Sequence, residues 1–164
     1  MKYLVFLFSS FIVLFLGCND KCSGDFPYYY SNLCWSELED STTHGAAKSF
    51  CEDIGGRLPT ISELRNLILN CPDSETGGSC EVTDECYSEN CWNESLCCSC
   101  EEDLNGKYSV FGDSALGIWA SNERPDSICE HWSINFQNAD VGSCYGQMFS
   151  VFSSFRCVKL EADQ

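Results

Sequence analysis

Apolar and polar positions change character several times along the chain. Tyr3 to Leu16 is almost wholly apolar, broken only by Ser9 and Ser10, and Asn19, Asp20 and Lys21 then turn the chain polar. Phe26 to Trp35 is aromatic and predicts a first strand or hairpin. From Thr43 to Ile54, Ala46, Ala47, Phe50, Cys51 and Ile54 recur at helical spacing, and Gly55-Gly56 stops the pattern as glycine does just past a helix. A second helix is predicted from Thr60. Thr60-Ile61-Ser62-Glu63 is a capping box, with Leu64, Leu67 and Ile68 as the buried stripe and an end near Asn70-Cys71-Pro72.

From Cys71 to Gly106 the pattern disappears. This segment holds seven cysteines, ten acidic residues and no Lys or Arg. Long loops without structure are uncommon in compact domains, so bridges are expected to order it as a stapled excursion from the domain. Strands dominate afterwards. Ile118-Trp119 is one. Trp132, Ile134 and Phe136 alternate with Ser133, Asn135 and Gln137 as a half-buried strand would, and Asn138-Ala139-Asp140 supplies a turn. Met148 to Leu160 closes the chain in an apolar run. Helices early and strands late predict an α+β domain, two helices packed on an antiparallel sheet.

The first apolar run has the layout of an export signal: Met1-Lys2 is positive, and the core is about 14 residues, short of the roughly 20 a spanning helix needs. Residues 1–17 are read as that signal and 18–25 as a tether. Phe15-Leu16-Gly17-Cys18 resembles a bacterial lipobox, which makes Cys18 the expected lipidation site. Phe15 stands where Leu is usual, and plain secretion is the alternative.

Fourteen cysteines in 164 residues, behind an export signal, predict disulfides formed in an oxidising compartment. Proximity suggests Cys22–Cys34 and Cys129–Cys144. Cys86 and Cys91 have zinc-like spacing, but Cys97-Cys98-Ser99-Cys100 is too crowded for the usual second half, and bridges are preferred. Cys97 and Cys98 are too close to bridge each other. The formal charge of −16 repels phosphate backbones and argues against a nucleic-acid partner.

The stretch Ala46 to Leu64, with Phe50-Cys51 and Gly55-Gly56-Arg57-Leu58-Pro59-Thr60-Ile61-Ser62-Glu63-Leu64, resembles the opening of the Lcl C-terminal domain family. Ile118-Trp119-Ala120-Ser121 and Phe155-Arg156-Cys157-Val158-Lys159 match later landmarks in order. Thr76-Gly77-Gly78-Ser79-Cys80 through Gly112-Asp113-Ser114 looks like a cysteine-rich insert of a bacterial subgroup. The resemblance covers about residues 30–160. It implies a C-type-lectin-like fold at 26–160 with an acidic insert at 71–106, a Cys51–Cys157 bridge, and adhesion or ligand binding outside the cell. Formylglycine-generating enzymes share a similar Arg57-Leu58-Pro59-Thr60 turn, but Ile61-Ser62-Glu63-Leu64-Arg65 departs from their Glu-Ala-Glu-Trp-Glu continuation.

That fold raises the question of calcium, which takes six to eight hard oxygens. Arg124-Pro125-Asp126 places a cation where the lectin site needs its first ligand. Trp132-Ser133-Ile134 lacks the Trp-Asn-Asp strand, and Trp92-Asn93-Glu94 lies in the wrong segment. Calcium held otherwise would draw on Glu81, Asp84, Glu85, Glu101, Glu102 and Asp103; a solvated acidic loop is the simpler expectation, and no metal or cofactor is assigned.

His44 and His131 are the available neutral-pH bases, and both are read as structural, so no catalytic residue is assigned. Trp35, Trp119 and Trp132 are expected in the core. Trp92, in the polar loop, is the one expected to be an exposed ligand contact. The reading is an exported, surface-anchored binding or adhesion module whose partner is an extracellular glycan, matrix or envelope component and whose membrane contact is the lipid anchor. An exported enzyme on a formylglycine-type fold and a structural envelope protein are the alternatives. With Cys18 lipidated and the three expected pairs formed, one of the seven insert cysteines has no intramolecular partner.

Overall fold

The computed structural model describes residues 22–86, 89–123, 131–142 and 152–161. The expected export signal, Cys18, the Cys129–Cys144 pair, Arg124-Pro125-Asp126 and the run Met148–Val151 lie outside the described residues.

Three helices and two sheets make up the fold of the described residues. The aromatic stretch folds as a hairpin, β1 (Tyr28–Tyr30) against β2 (Leu33–Trp35). Ser31 and Asn32 turn it with φ of 52° and 63°, the left-handed pair a two-residue hairpin needs. Strand β3 (Glu39–Thr42) leads into α1 (His44–Asp53), where the Thr43 hydroxyl caps the Ala46 amide. Ala47 and Cys51 face the core, and Phe50 stays at the rim, edge-on to Phe155 with centroids 5.3 Å apart.

The Thr60–Glu63 capping box forms with both of its hydrogen bonds, but α2 covers only Ile61–Arg65. The expected helix to residue 70 is therefore too long. Beyond Asn66 the backbone turns to tertiary partners: Val110 N–H donates to the Leu67 carbonyl at 3.0 Å, and Leu69 N–H donates to the Tyr108 carbonyl at 3.0 Å. Leu67 and Ile68 are still buried, as the stripe requires.

The first sheet runs β1-β2-β8, where β8 is Val158–Leu160. The second runs β3-β7-β4-β5-β6, with β4 Ile118–Glu123, β5 His131–Asn135, β6 Asp140–Val141 and β7 Ser153–Phe155. Its β4–β7 pairing is parallel, so the sheet expected to be antiparallel is mixed. The half-buried reading of β5 is also corrected. Trp132 and Ile134 are 0% exposed, but Ser133 and Asn135 are only 3% exposed. Strands flank β5 on both edges, and the insert lies over it, with the Trp132 indole N–H donating to the Cys86 carbonyl.

Five bridges join described residues: Cys22–Cys34, Cys51–Cys157, Cys71–Cys100, Cys80–Cys97 and Cys86–Cys91. Cys51–Cys157 ties α1 to the approach of β8. Close by, Gly56 lets the chain lie flat on β8: a Cβ there would meet the Phe26 ring at 2.5 Å and the Val158 carbonyl oxygen at 2.9 Å. Arg57 and Val158 exchange both backbone hydrogen bonds at this crossing.

The insert is more than an excursion held by bridges. Cys71, Cys80, Val82, Cys86 and Cys97 are buried in the same core as Trp35, Leu64, Trp132 and Ile134. Arg65, the last residue of α2, organises its first half. The guanidinium is buried and donates to the carbonyls of Ser74 at 2.9 Å, Glu75 at 2.7 Å and Val82. A short helix, α3 (Glu94–Cys97), is capped by the Asn93 side chain.

Candidate functional site

The residues that meet at one concave place come from elements whose other faces are fixed by the core. On α1, His44, Lys48 and Glu52 are four apart, so they line one helical face. On β4, Trp119, Ser121 and Glu123 alternate onto one side of the strand. Glu123 pairs directly with His131, the first residue of β5. Arg57 and Leu58 close the floor. His44, Lys48, Glu52, Arg57, Leu58, Ser121, Glu123 and His131 together line an open cleft of about 260 Å³.

The two histidines are stacked, with ring centroids 3.3 Å apart and planes within 7°. Trp119 stands edge-on to both, at 5.7 Å from His44 and 6.4 Å from His131. Its own indole N–H donates to the Thr42 carbonyl at 2.9 Å, which fixes the ring against the start of α1. His44 Nε2 lies 3.0 Å from the Ala120 carbonyl oxygen. A carbonyl only accepts, so this nitrogen carries the proton and donates.

Burial is the main reason that the His44 pKa falls below the ordinary histidine value, and the neighbouring His131 lowers it further. Lys48 acts in the same direction, while the Ala120 carbonyl and Glu123 oppose it. At neutral pH, His44 is therefore an uncharged aromatic wall.

The charged groups of the cleft divide into committed and uncommitted ones. Arg57 holds Glu63 through two hydrogen bonds of 2.7 and 2.6 Å, and its Nη1 also reaches the Leu58 carbonyl. Lys48, Glu52 and Glu123 make no ion pair with one another or with any other described residue. Among the described residues, the cleft thus offers one lysine, two carboxylates and a serine hydroxyl around a flat aromatic pair.

Metal chemistry finds less support in the geometry. In-plane lone pairs of two parallel imidazoles point along parallel lines and do not converge on one ion. Among the described residues, no group of three or more His, Cys, Asp or Glu is placed to hold a metal. The six acidic residues considered for calcium do not gather either. An oxygen of Asp84 accepts from the Ser62 amide at 3.0 Å, and one of Asp103 accepts from the amides of Asn105 and Lys107. Both carboxylates serve the local backbone. The zinc-like spacing of Cys86 and Cys91 is that of a bridge.

The expected exposure of Trp92 is corrected. Although it belongs to the insert, it is half-buried, packs against the main core and donates its indole N–H to the Val141 carbonyl at 2.7 Å. Gly142, with φ of 97°, leaves room for it: a Cβ there would meet Trp132 at 2.5 Å and Trp92 at 2.9 Å. The ring holds the insert to the β6 end. Trp35, Trp119 and Trp132 are buried.

Cys98 is the described cysteine that forms no bridge. Its half-buried thiol is pushed up to about 12, first by burial and then by the charge of Asp140, which also hydrogen-bonds it, with Glu94 adding to the effect. Such a thiol is inert at physiological pH.

Sequence reasoning singled out His44 and His131 separately and did not bring them together, and it passed over Lys48, Glu52, Arg57, Ser121 and Glu123 as site residues. One signal was present: the four-residue spacing of His44, Lys48 and Glu52 places three polar groups in one row of α1, beside its buried Ala47–Cys51 stripe. Comparison with family models, with curated proteins and with solved structures finds no match for the chain.

Proposed function

We propose that this chain is an exported binding module with a C-type-lectin-like fold, carried at the cell envelope by a lipid on Cys18, and that it takes its extracellular ligand in the cleft between α1, β4 and β5. The observation that carries this reading is the cleft itself. It is concave, it presents Lys48, Glu52 and Glu123, which make no ion pair among the described residues, and the elements around it are locked by the core and by Cys51–Cys157. A rigid frame that points spare polar groups into a concavity suits recognition, since little ordering is needed on binding.

The extracytoplasmic placement rests on the five bridges, which persist in oxidising compartments. The fold assignment draws on the order of elements: a hairpin, two helices, a cysteine-rich insert, then strands that return β8 beside β2. Binding is preferred to catalysis because His44 gives its Nε2 proton to a backbone carbonyl. A thermal-shift screen of the oxidised full-length protein against glycans and small metabolites tests the reading. Saturable stabilisation that disappears in Ser121→Trp, a variant that fills the cleft, supports it. Stabilisation that survives in this variant places the ligand elsewhere and overturns it.

A further inference from the structure

We infer that the cleft between α1, β4 and β5 is built for a small zwitterion, an α-amino acid or a compound with the same juxtaposed charges, whose carboxylate is met by Lys48 and whose ammonium is met by Glu123 and Glu52. This rests on the proposal that the cleft is the binding site, and it names the ligand class. Three observations carry it.

The first is charge. Exposed charges are ordinarily solvated and carry no information. Here Lys48 and Glu52 from α1 and Glu123 from β4 converge on one concave wall and are not paired with each other. A ligand of one sign would attract one set and be repelled by the other. A ligand with both signs is attracted by both, and mismatched partners are disfavoured.

The second is the contrast with Arg57. It lines the same cleft but is already held by both oxygens of Glu63. Among the described residues that line the cleft, Lys48 is therefore the cation left for an incoming carboxylate, in a chain whose formal charge is −16.

The third is size and surface. The cleft's 260 Å³ falls below the roughly 300–1,000 Å³ that accepts drug-sized ligands, so a small molecule fits it best. The stacked His44–His131 pair gives the carbon skeleton a flat surface, and Ser121 adds a hydroxyl.

The test is an NMR titration that follows the imidazole C–H signals of the oxidised full-length protein at pH 7.5. The probes are glycine, L-alanine and L-glutamine, with propionate and ethylammonium as single-charge controls. Saturable shifts with at least one amino acid are expected, with each control about tenfold weaker or more, since a charge-assisted contact is lost. Lys48→Gln and Glu123→Gln should each weaken that binding about tenfold while leaving the melting temperature unchanged, because both side chains are exposed. Propionate or ethylammonium binding as tightly as the amino acids would overturn the zwitterion inference. So would silence from all five probes while another compound is lost from the cleft on Ser121→Trp, a result that leaves the binding-module reading standing.

Discussion

His44 and His131, one opening α1 and the other opening β5, stack face to face with their centroids 3.3 Å apart. The contact joins the helix layer to the central strands at the mouth of the cleft. It also ties the stability of that junction to pH, because two protonated imidazoles cannot share the stack without repulsion.

The pH effect has a definite sign. The folded state holds His44 below its ordinary value, chiefly through burial, so the unfolded chain binds the proton more readily. The stabilisation is complete above the unfolded value of about 6.5 and is lost as pH falls through the lower folded value. Urea unfolding at pH 7.5 and 5.0 should show a larger loss in the wild type than in His44→Phe. Equal losses would show that His44 does not titrate as described.

Cys98 provides a second pH-linked readout. With its thiol near 12 in the fold and near an ordinary 8.5 when unfolded, labelling by a thiol reagent at pH 8 should be slower on the order of a thousandfold in the native protein. Guanidinium should then expose the thiol to rapid labelling. Rapid native labelling would contradict the buried placement beside Asp140. If no thiol appears on unfolding, Cys98 is bridged, and the reading of Cys18 as a lipidated residue fails with it.

Arg65 should matter more to the insert than its place on a short helix suggests. Arg65→Met removes the donors to three carbonyls and keeps much of the apolar bulk. A loss of about 3 kcal/mol is expected from buried acceptors left unsatisfied. Hydrogen exchange at residues 71–86 should rise. Arg65→Lys should rescue little, since a single ammonium cannot span three carbonyls as the guanidinium fork does. Full rescue by lysine would refute this role.

The Cys51–Cys157 bridge closes a loop with a sequence separation of 106. Removing it as Cys51→Ser with Cys157→Ser should destabilise the protein by about 4–5 kcal/mol in the chain-entropy account. Denaturant midpoints measure this. A change below about 1 kcal/mol would mean that the loop is already closed by the core.

What the sequence made legible was local. The hairpin within Phe26–Trp35, the Thr60 capping box and the Gly55-Gly56 stop depend on residues a few positions apart, and each forms. Long-range contacts decided the rest. α2 stops early because Leu67 and Leu69 pair with Val110 and Tyr108, just past the insert. Strand β3 carries the polar residues Glu39, Asp40, Ser41 and Thr42, so no alternation marks it. Trp92 turned inward because Gly142, fifty residues on, makes room for it. The cleft was hidden for the same reason: its residues come from α1, the Arg57-Leu58 turn, β4 and β5, and only the fold brings them together.

The account stands most directly on whether ligand reaches the cleft. Mapping backbone and imidazole shifts of the isotope-labelled, oxidised full-length protein on addition of the strongest compound from a metabolite and glycan screen measures this in one experiment. The account predicts saturable perturbations centred on His44, Lys48, Ser121, Glu123 and His131, and their disappearance in Ser121→Trp. Saturable perturbations centred elsewhere, with these residues silent, would contradict it.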